Sequence, residues 1–260
     1  MKKRILAWTL AAVMAVAMVG CGSSGKDTDS KGTTGNKTTE KTEVAAGESV
    51  SQDHDLLASV SVDFTTLDPL DTNDTLSGDV QRLMMDGLFG FDEDMNVVNM
   101  LAESYEANDD ATEFTFKLRE GVSFSDGTPW NAEAAKANFD RWADKSLGLK
   151  RTTFLSNVLD KTEIVDEYTI KVTLVSPFGA FINNLAHPCT VCVSPKQIEK
   201  GSATVAAEPV GTGQYTFKEW VAGEHLTLEL NKDWWGYDKD ICGGEPLAES
   251  DAGFKTITFK

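Results

Sequence analysis

The stretch at residues 111–142, ATEFTFKLREGVSFSDGTPWNAEAAKANFDRW, changes its hydrophobic period from two to about 3.6. Residues 113–118 alternate between apolar and polar side chains, which predicts a half-buried strand. Residues 132–142 repeat apolar side chains at helical spacing, and Asn131 directly before them is a suitable N-cap. A strand followed by an amphipathic helix indicates a body that mixes both elements.

The same two patterns recur on either side of this stretch. The segment EYTIKVTLV (167–175) alternates as a strand, and GQYTFKEW with HLTLEL predicts a hairpin around Ala222-Gly223. Ser77 is a candidate N-cap for a helix that ends near Gly87, with Leu88 on its buried stripe, and residues 122–124 predict a further short strand. We therefore expect a mixed α/β (α+β) fold whose ordered core begins near Asp55.

The N-terminus is typical of an export signal. Lys2, Lys3 and Arg4 precede a largely apolar run of sixteen residues at 5–20, which is shorter than the roughly 20 residues of a membrane-spanning helix. The following Met18-Val19-Gly20-Cys21 resembles the lipobox of bacterial lipoproteins, although that pattern prefers Leu where Met18 stands. We expect residues 1–21 to be a lipoprotein signal peptide with Cys21 acylated; an ordinary signal-peptidase site or a permanent anchor helix are the alternatives.

A polar segment at 22–53 follows Cys21 and has few apolar side chains with which to offset chain entropy, so it predicts a disordered tether. Over the whole chain the formal net charge is −17. An acidic surface repels phosphate backbones, which argues against nucleic-acid binding.

The segment HPCTVCVS places His187 beside a C-x-x-C pair, Cys189 and Cys192, a pattern found in thiol redox centres and zinc sites. Two observations argue against such a centre. The segment CTVCV favours a strand, in which positions three apart point to opposite faces, and no second pair supplies the remaining zinc ligands. Two partly buried thiols are the simpler interpretation, and a disulfide from Cys242 to either of them stays open.

Motifs of hydrolases, zinc proteases and P-loop nucleotide-binding proteins are absent from the sequence. The other two histidines, His54 and His225, are far from the C-x-x-C pair, and His225 is expected only to begin a strand. Trp234-Trp235 is a pair that stacks on ligands in some proteins and more often covers the edge of a core.

Several phrases together resemble the family 5 solute-binding proteins of ABC importers, which bind oligopeptides, dipeptides or nickel. These phrases are LDP at 67–69, LAES at 101–104, FKLR at 116–119, DGT at 126–128, PVGTGQYTFKEW at 209–220 and LELNKDWWGYD at 228–238. Their order and spacing carry the likeness from about residue 56 to the end of the chain.

The resemblance implies a class II clamshell of two lobes that closes on its ligand and is not an enzyme. Residues 54–260 would form the N-terminal part of the domain, which is lobe I with an inserted subdomain at about 86–205. Family members are about twice as long, so we expect lobe II to be absent from this chain. The implied partners are a peptide or other small solute and the permease and ATPase subunits, with no cofactor, an extracytoplasmic location at the membrane and a monomeric state.

The resemblance also suggests ligand-contacting residues. The loop DTNDTLS falls where family members meet an extended peptide, so Asn73, Thr75 and Leu76 are predicted to bind ligand, although a capping turn would explain the same residues. Arg151 and Phe154 are predicted to line the cleft wall, where a cation would meet a peptide carboxylate. The segment Gly211-Thr212-Gly213 is predicted to shape the lobe base near the hinge.

Three alternatives to a peptide importer remain from the sequence. In the first, a protein of the same fold binds a nickel chelate, glutathione or haem. In the second, the same fold acts as a receptor that passes a ligand signal to a partner protein. In the third, the chain is a secreted thiol or metal enzyme that uses His187, Cys189 and Cys192.

Overall fold

Two four-stranded sheets organise the protein in the computed structural model, which describes residues 54–243, 246–247 and 253–260. The strands are β1 (Asp55–Ala58), β2 (Phe89–Phe91), β3 (Val97–Asn99), β4 (Ala102–Ala107), β5 (Glu113–Leu118), β6 (Leu159–Asp166), β7 (Thr169–Leu174), β8 (Tyr215–Val221), β9 (His225–Leu230) and β10 (Thr256–Phe259). The helices are α1 (Thr75–Met84), α2 (Ala132–Ala143), α3 (Thr153–Ser156), α4 (Phe181–Leu185), α5 (Pro195–Lys200), α6 (Ser202–Ala207) and α7 (Lys239–Cys242).

The first sheet has the strand order β1-β10-β9-β8 and joins the two ends of the described chain. β1 runs parallel to β10, and the other neighbours are antiparallel. The β8–β9 connection is the predicted hairpin, in which Gly223 takes a φ of 77° that a side chain would disfavour. The core beside this sheet includes Leu226 and Leu228 from β9 and Val80 and Met84 from α1.

The second sheet has the order β4-β5-β7-β6 and is antiparallel throughout. The alternation predicted for residues 113–118 and 167–175 places Phe116, Ile170 and Val172 in the core, each fully buried. Helix α2 packs on this sheet with Phe139 and Trp142 inward. Asn131 caps this helix as predicted, because its side chain accepts a hydrogen bond from the Ala134 N–H at 3.0 Å.

The mixed α/β fold that the sequence predicts is confirmed. All four strands of the second sheet come from residues within the predicted 86–205 insert, whose boundaries stay a prediction. The signal segment 1–21, including Cys21, and the tether 22–53 lie outside the described residues. In the part that is described, no helix is long and apolar enough to cross a membrane.

Three local predictions are wrong. Helix α1 begins at Thr75 with Asp74 as its N-cap, not at Ser77, and it ends at Met84 because Met85 is extended. Residues 122–124 form no strand, only an isolated bridge from Ser123 to Pro129. The CTVCV segment begins as a short 3₁₀ turn at Pro188–Thr190, since Pro188 lacks the N–H that a strand would donate.

Candidate functional site

The N-terminus of α1 displays the first group of predicted ligand-contacting residues. The Asp74 carboxylate accepts a hydrogen bond from the Ser77 N–H at 2.8 Å and from the Thr72 hydroxyl at 3.2 Å. Burial acts to raise the pKa of Asp74, but these hydrogen bonds outweigh it and lower that pKa below its usual value. The cap leaves Asn73 and Thr75 exposed to solvent, where a ligand would reach them.

Leu76 differs from its neighbours because it is half-buried and packs against the core of the first sheet. A side chain in this position contributes mainly to packing and offers a ligand only its exposed edge. Whether Asn73, Thr75 and Leu76 contact a ligand stays a prediction.

Arg151 lies in the turn before α3 and is bonded to the loop that precedes α1. Its backbone N–H donates to the Leu70 carbonyl at 2.8 Å, and its Nε donates to the Thr72 carbonyl at 3.0 Å. These two bonds fix the guanidinium beside the α1 loop while the side chain stays half-buried. Within the described residues no group accepts a hydrogen bond from its two Nη atoms, so they are available to an anionic ligand.

Phe154, one turn after Arg151, packs against the imidazole of His187 with 4.8 Å between ring centroids and an angle of 42° between the ring planes. The 3₁₀ turn that follows His187 sits beside α1, where a Cβ added to Gly78 would meet the Pro188 Cβ at 3.7 Å. Asn73, Thr75, Arg151, Phe154 and His187 therefore form one surface, which we call the α1–α3 face.

His187 is the one residue of this face that sequence reasoning assigned to a different kind of site. The C-x-x-C spacing is typical of thiol and metal chemistry; in the structure the imidazole contacts the Cys189 thiol through Nδ1 and also packs against Phe154. The signal that was available is the sequence His-Pro, since a histidine directly before a proline-initiated turn is placed to cap it.

The two thiols beside His187 are buried, as the sequence predicts. Cys189 and Cys192 are both free, so neither forms the disulfide with Cys242 that the spacing left open. Burial raises the pKa of Cys189 to about 12 and that of Cys192 well above its usual value. A thiol with such a pKa is fully protonated at neutral pH and is a poor nucleophile. Among residues 54–243, 246–247 and 253–260, no three His, Cys, Asp or Glu side chains are grouped so that they would hold a metal ion.

A buried ion pair lies next to the loop that leads into α1. Arg141 of α2 donates from Nη2 to Asp68 Oδ2 at 2.5 Å, and the two side chains are 4% and 0% exposed. Asp68 Oδ1 also accepts the Leu70 N–H at 3.0 Å. Burial raises the pKa of Asp68 more than Arg141 lowers it. The pair joins the segment around Asp68, which leads into the α1 loop, to helix α2, which packs on the second sheet.

The predicted hinge segment, Gly211-Thr212-Gly213, is buried against the end of α1. A Cβ at Gly211 or at Gly213 would overlap the backbone of Met84, so close approach explains both glycines. The Gly213 N–H donates to the Met84 carbonyl at 2.9 Å. The segment is thus in tight contact with the end of α1, and its place near the hinge stays a prediction.

Comparison with known proteins identifies the family and the fold. The family model "Bacterial extracellular solute-binding proteins, family 5 Middle" matches residues 96–260. The glutathione-binding protein GsiB of Escherichia coli (strain K12) is 46% identical over 199 residues, which is 75% of this chain and 39% of that protein. The chain thus spans about 39% of the length of the curated relatives that it matches.

Solved structures show the same fold. AgaA from A. tumefacien R10, in complex with agropinic acid, has a TM-score of 0.67 and 31% identity over 79% of this chain and 40% of its own. NikA from Brucella suis, in complex with Fe(III)-EDTA, has a TM-score of 0.66 and 29% identity over 80% of this chain and 39% of its own. The family model and these relatives together show that the chain belongs to the bacterial extracellular solute-binding proteins of family 5.

Proposed function

We propose that the chain is the extracytoplasmic solute-binding component of an ABC importer and that it binds short peptides, or solutes that resemble them, at the α1–α3 face. The bound solute is delivered to permease and ATPase subunits. Acylation of Cys21 would hold the protein at the membrane beside them, with residues 22–53 as the tether. Family membership and the likeness to a glutathione-binding protein support the class of cargo.

The observation that carries the proposal is the guanidinium of Arg151. The acidic chain has a formal charge of −17, yet this face holds a half-buried arginine whose Nη atoms are bonded to no described residue. A planar guanidinium is suited to bind a carboxylate through two parallel hydrogen bonds. Exposed Asn73 and Thr75 nearby offer polar groups to a peptide backbone, which tolerates varied side chains.

A metal chelate is the second candidate cargo within the same class. NikA from Brucella suis, one of the similar structures, is in complex with Fe(III)-EDTA, a chelate that carries carboxylates. Such a ligand would meet Arg151 in the same way as a peptide, so the geometry of this face does not separate the two. The secreted thiol enzyme has no comparable support, because the pKa of Cys189 is raised to about 12.

Calorimetric titration of the full chain tests the proposal. The panel contains reduced glutathione, dipeptides to pentapeptides, the same peptides with amidated C-termini, haem and nickel–histidine. We expect binding of peptides or glutathione, with Arg151→Gln weakening the free-acid ligands by about 10- to 100-fold, because a charge-assisted hydrogen bond contributes about 1.5–3 kcal/mol. The amidated peptides should be affected much less.

Lys136→Gln is the matched control, since Lys136 on α2 lies away from this face and already pairs with Asp140 at 2.6 Å, with both side chains partly exposed. Its affinities should stay within about two-fold of the unmodified chain, as expected for a surface ion pair. Binding of nickel–histidine alone would favour the chelate. Failure of every member of the panel to bind would contradict the proposal.

A further inference from the structure

The imidazole of His187 is held in one orientation by two contacts of its Nδ1 atom. The backbone N–H of Cys189 donates to Nδ1 at 3.1 Å, and the Cys189 Sγ also lies 3.1 Å from Nδ1. The first contact caps the 3₁₀ turn that begins at Pro188. The Phe154 ring covers one side of the imidazole, so the ring has little freedom to rotate.

These contacts determine the position of the imidazole proton. A nitrogen that accepts an N–H hydrogen bond carries no proton, and a neutral imidazole then carries its single proton on the other nitrogen. The Cys189 thiol agrees with this assignment. Burial raises its pKa to about 12, so it keeps its proton and acts toward Nδ1 only as a weak donor. The neutral His187 is therefore the Nε2–H tautomer.

The surroundings of the His187 ring disfavour its charged form. Burial lowers its pKa most, and the positive charges of Arg151 before α3 and Arg82 on α1 lower it further. In the described part of the chain, Arg151, Arg82 and the Cys189 thiol are the titratable groups that interact with the ring. No residue in the described part of the chain accepts a hydrogen bond from Nε2, and this atom is open to solvent, so the half-buried ring offers an accessible donor near enough to Arg151 to feel its charge.

We propose that His187 is a specificity-determining residue of the α1–α3 face, whose Nε2–H donates to a ligand carboxylate that Arg151 also binds. The identity of the ligand rests on the proposed function; the tautomer and the availability of Nε2 do not.

The chemistry of the two donors selects the kind of ligand atom. Nε2–H and the Arg151 guanidinium are both donors, so an oxygen with several lone pairs and a negative charge satisfies them together. An ammonium group or a bare metal cation would be repelled by Arg151 and would find no lone pair on Nε2. The position therefore selects the acidic end of a peptide and rejects its amino end.

Two substitutions separate the donor from the cap. His187→Asn keeps an acceptor for the Cys189 N–H and is a favoured capping residue, but its amide does not reach the position of Nε2. His187→Gln places an amide N–H near the position of Nε2 and loses the short-range cap. If His187 only capped the turn, the Asn variant would keep more of the ligand affinity than the Gln variant. If His187 binds ligand, the Gln variant would keep more.

The first measurement needs no cargo. Long-range ¹H–¹⁵N NMR of the labelled full chain resolves the ring nitrogens of its three histidines, and His187 is the set of signals that disappears in His187→Asn. We expect the Nε2–H pattern at pH 8, and it should persist to lower pH than in the exposed His54, because burial and the two arginines lower the pKa of His187. Acetate alone, titrated at millimolar concentrations as a probe carboxylate, should shift the Nε2 signal. An Nδ1–H tautomer, or no shift with acetate, would overturn the inference.

The second measurement repeats the titration with reduced glutathione. We expect His187→Asn to weaken binding by about ten-fold and His187→Gln by less than about three-fold, as for loss and retention of one hydrogen bond to a carboxylate. If glutathione binds equally to both variants, the inference is wrong while the proposed function stands. If no peptide binds but acetate still shifts Nε2 through Arg151, the inference stands and the peptide cargo is wrong.

Discussion

Replacing Asp68 by Asn should destabilise the protein far more than the same change in an exposed ion pair. Asp68→Asn keeps the size of the side chain and an oxygen for the Leu70 N–H, but it replaces the oxygen that accepts from Arg141 by an amide NH2 and removes the charge opposite Arg141. The Arg141 side chain is 4% exposed, so its guanidinium stays buried without a counter-charge. Breaking one partner of a buried pair costs about 3–5 kcal/mol of unfolding free energy.

The exposed pair on the same helix gives the control. Lys136 and Asp140 of α2 pair at 2.6 Å with side chains 36% and 57% exposed. A helical pair of this kind contributes only about 0.3–0.5 kcal/mol, so Asp140→Asn should change the free energy of unfolding very little.

Chemical and thermal unfolding of the full chain followed by circular dichroism measures both variants. For a domain of about this size, the melting temperature changes by about 2–4 °C per kcal/mol, so Asp68→Asn should lower it by roughly 6–20 °C. The double variant Asp68→Asn with Arg141→Met should recover part of the loss, because no buried charge is left unpaired. Equal melting temperatures for Asp68→Asn and Asp140→Asn would refute the reasoning.

Three further predictions concern the cap, the close packing and the anchor. Asp74→Ala should lower the free energy of unfolding by about 1 kcal/mol at pH 7. Because the pKa of Asp74 is lowered in the fold, its ionised form stabilises the protein above the unfolded pKa of 3.8, and this contribution is lost as the pH falls through the folded pKa. The difference in urea unfolding between the variant and the unmodified chain should therefore shrink in acid. Gly211→Ala should cost about 3 kcal/mol in the same assay because its Cβ overlaps Met84, whereas Gly179→Ala, with no atom within 4 Å, should change little. Cys21→Ala should abolish incorporation of labelled palmitate and release the protein from the membrane fraction; labelling that persists would contradict acylation at this residue.

The fold was predictable where one physical signal dominated a segment. Phe116, Ile170 and Val172 alternate with polar neighbours, and burial of one sheet face is enough to fix them as core. Asn131 is the only good cap next to the apolar repeat of α2, so the start of that helix was unambiguous.

Predictions failed where several local signals competed. The segment at the start of α1 contains five residues that are capable of capping a helix: Thr72, Asn73, Asp74, Thr75 and Ser77. Asp74 takes this role because its second carboxylate oxygen is also bonded by the Thr72 hydroxyl, and this contact depends on the conformation of the whole loop.

The α1–α3 face could be predicted only in part. Arg151 and Phe154 were found through the family resemblance, but His187 lies more than thirty residues further along the chain and reaches Phe154 only through the folded structure. Its β-branched neighbours favour a strand, and that preference was overridden by Pro188 and by the cap on the Cys189 N–H.

Asp86 shows how the two halves of the molecule are joined, and no local pattern marks it. Its buried carboxylate accepts hydrogen bonds from Trp235 Nε1 at 2.9 Å and from the Thr212 hydroxyl at 3.0 Å, while Arg119 stacks 4.9 Å above the Trp235 ring. Asp86 follows α1, Arg119 follows β5, and Trp235 follows β9, so one polar cluster connects elements of both sheets. Burial raises the pKa of Asp86, and its carboxylate is stable there only with these donors in place. Trp235, which the sequence offered as a ligand-stacking or core-edge residue, is therefore part of the link between the sheets that fixes the end of α1 relative to the second sheet.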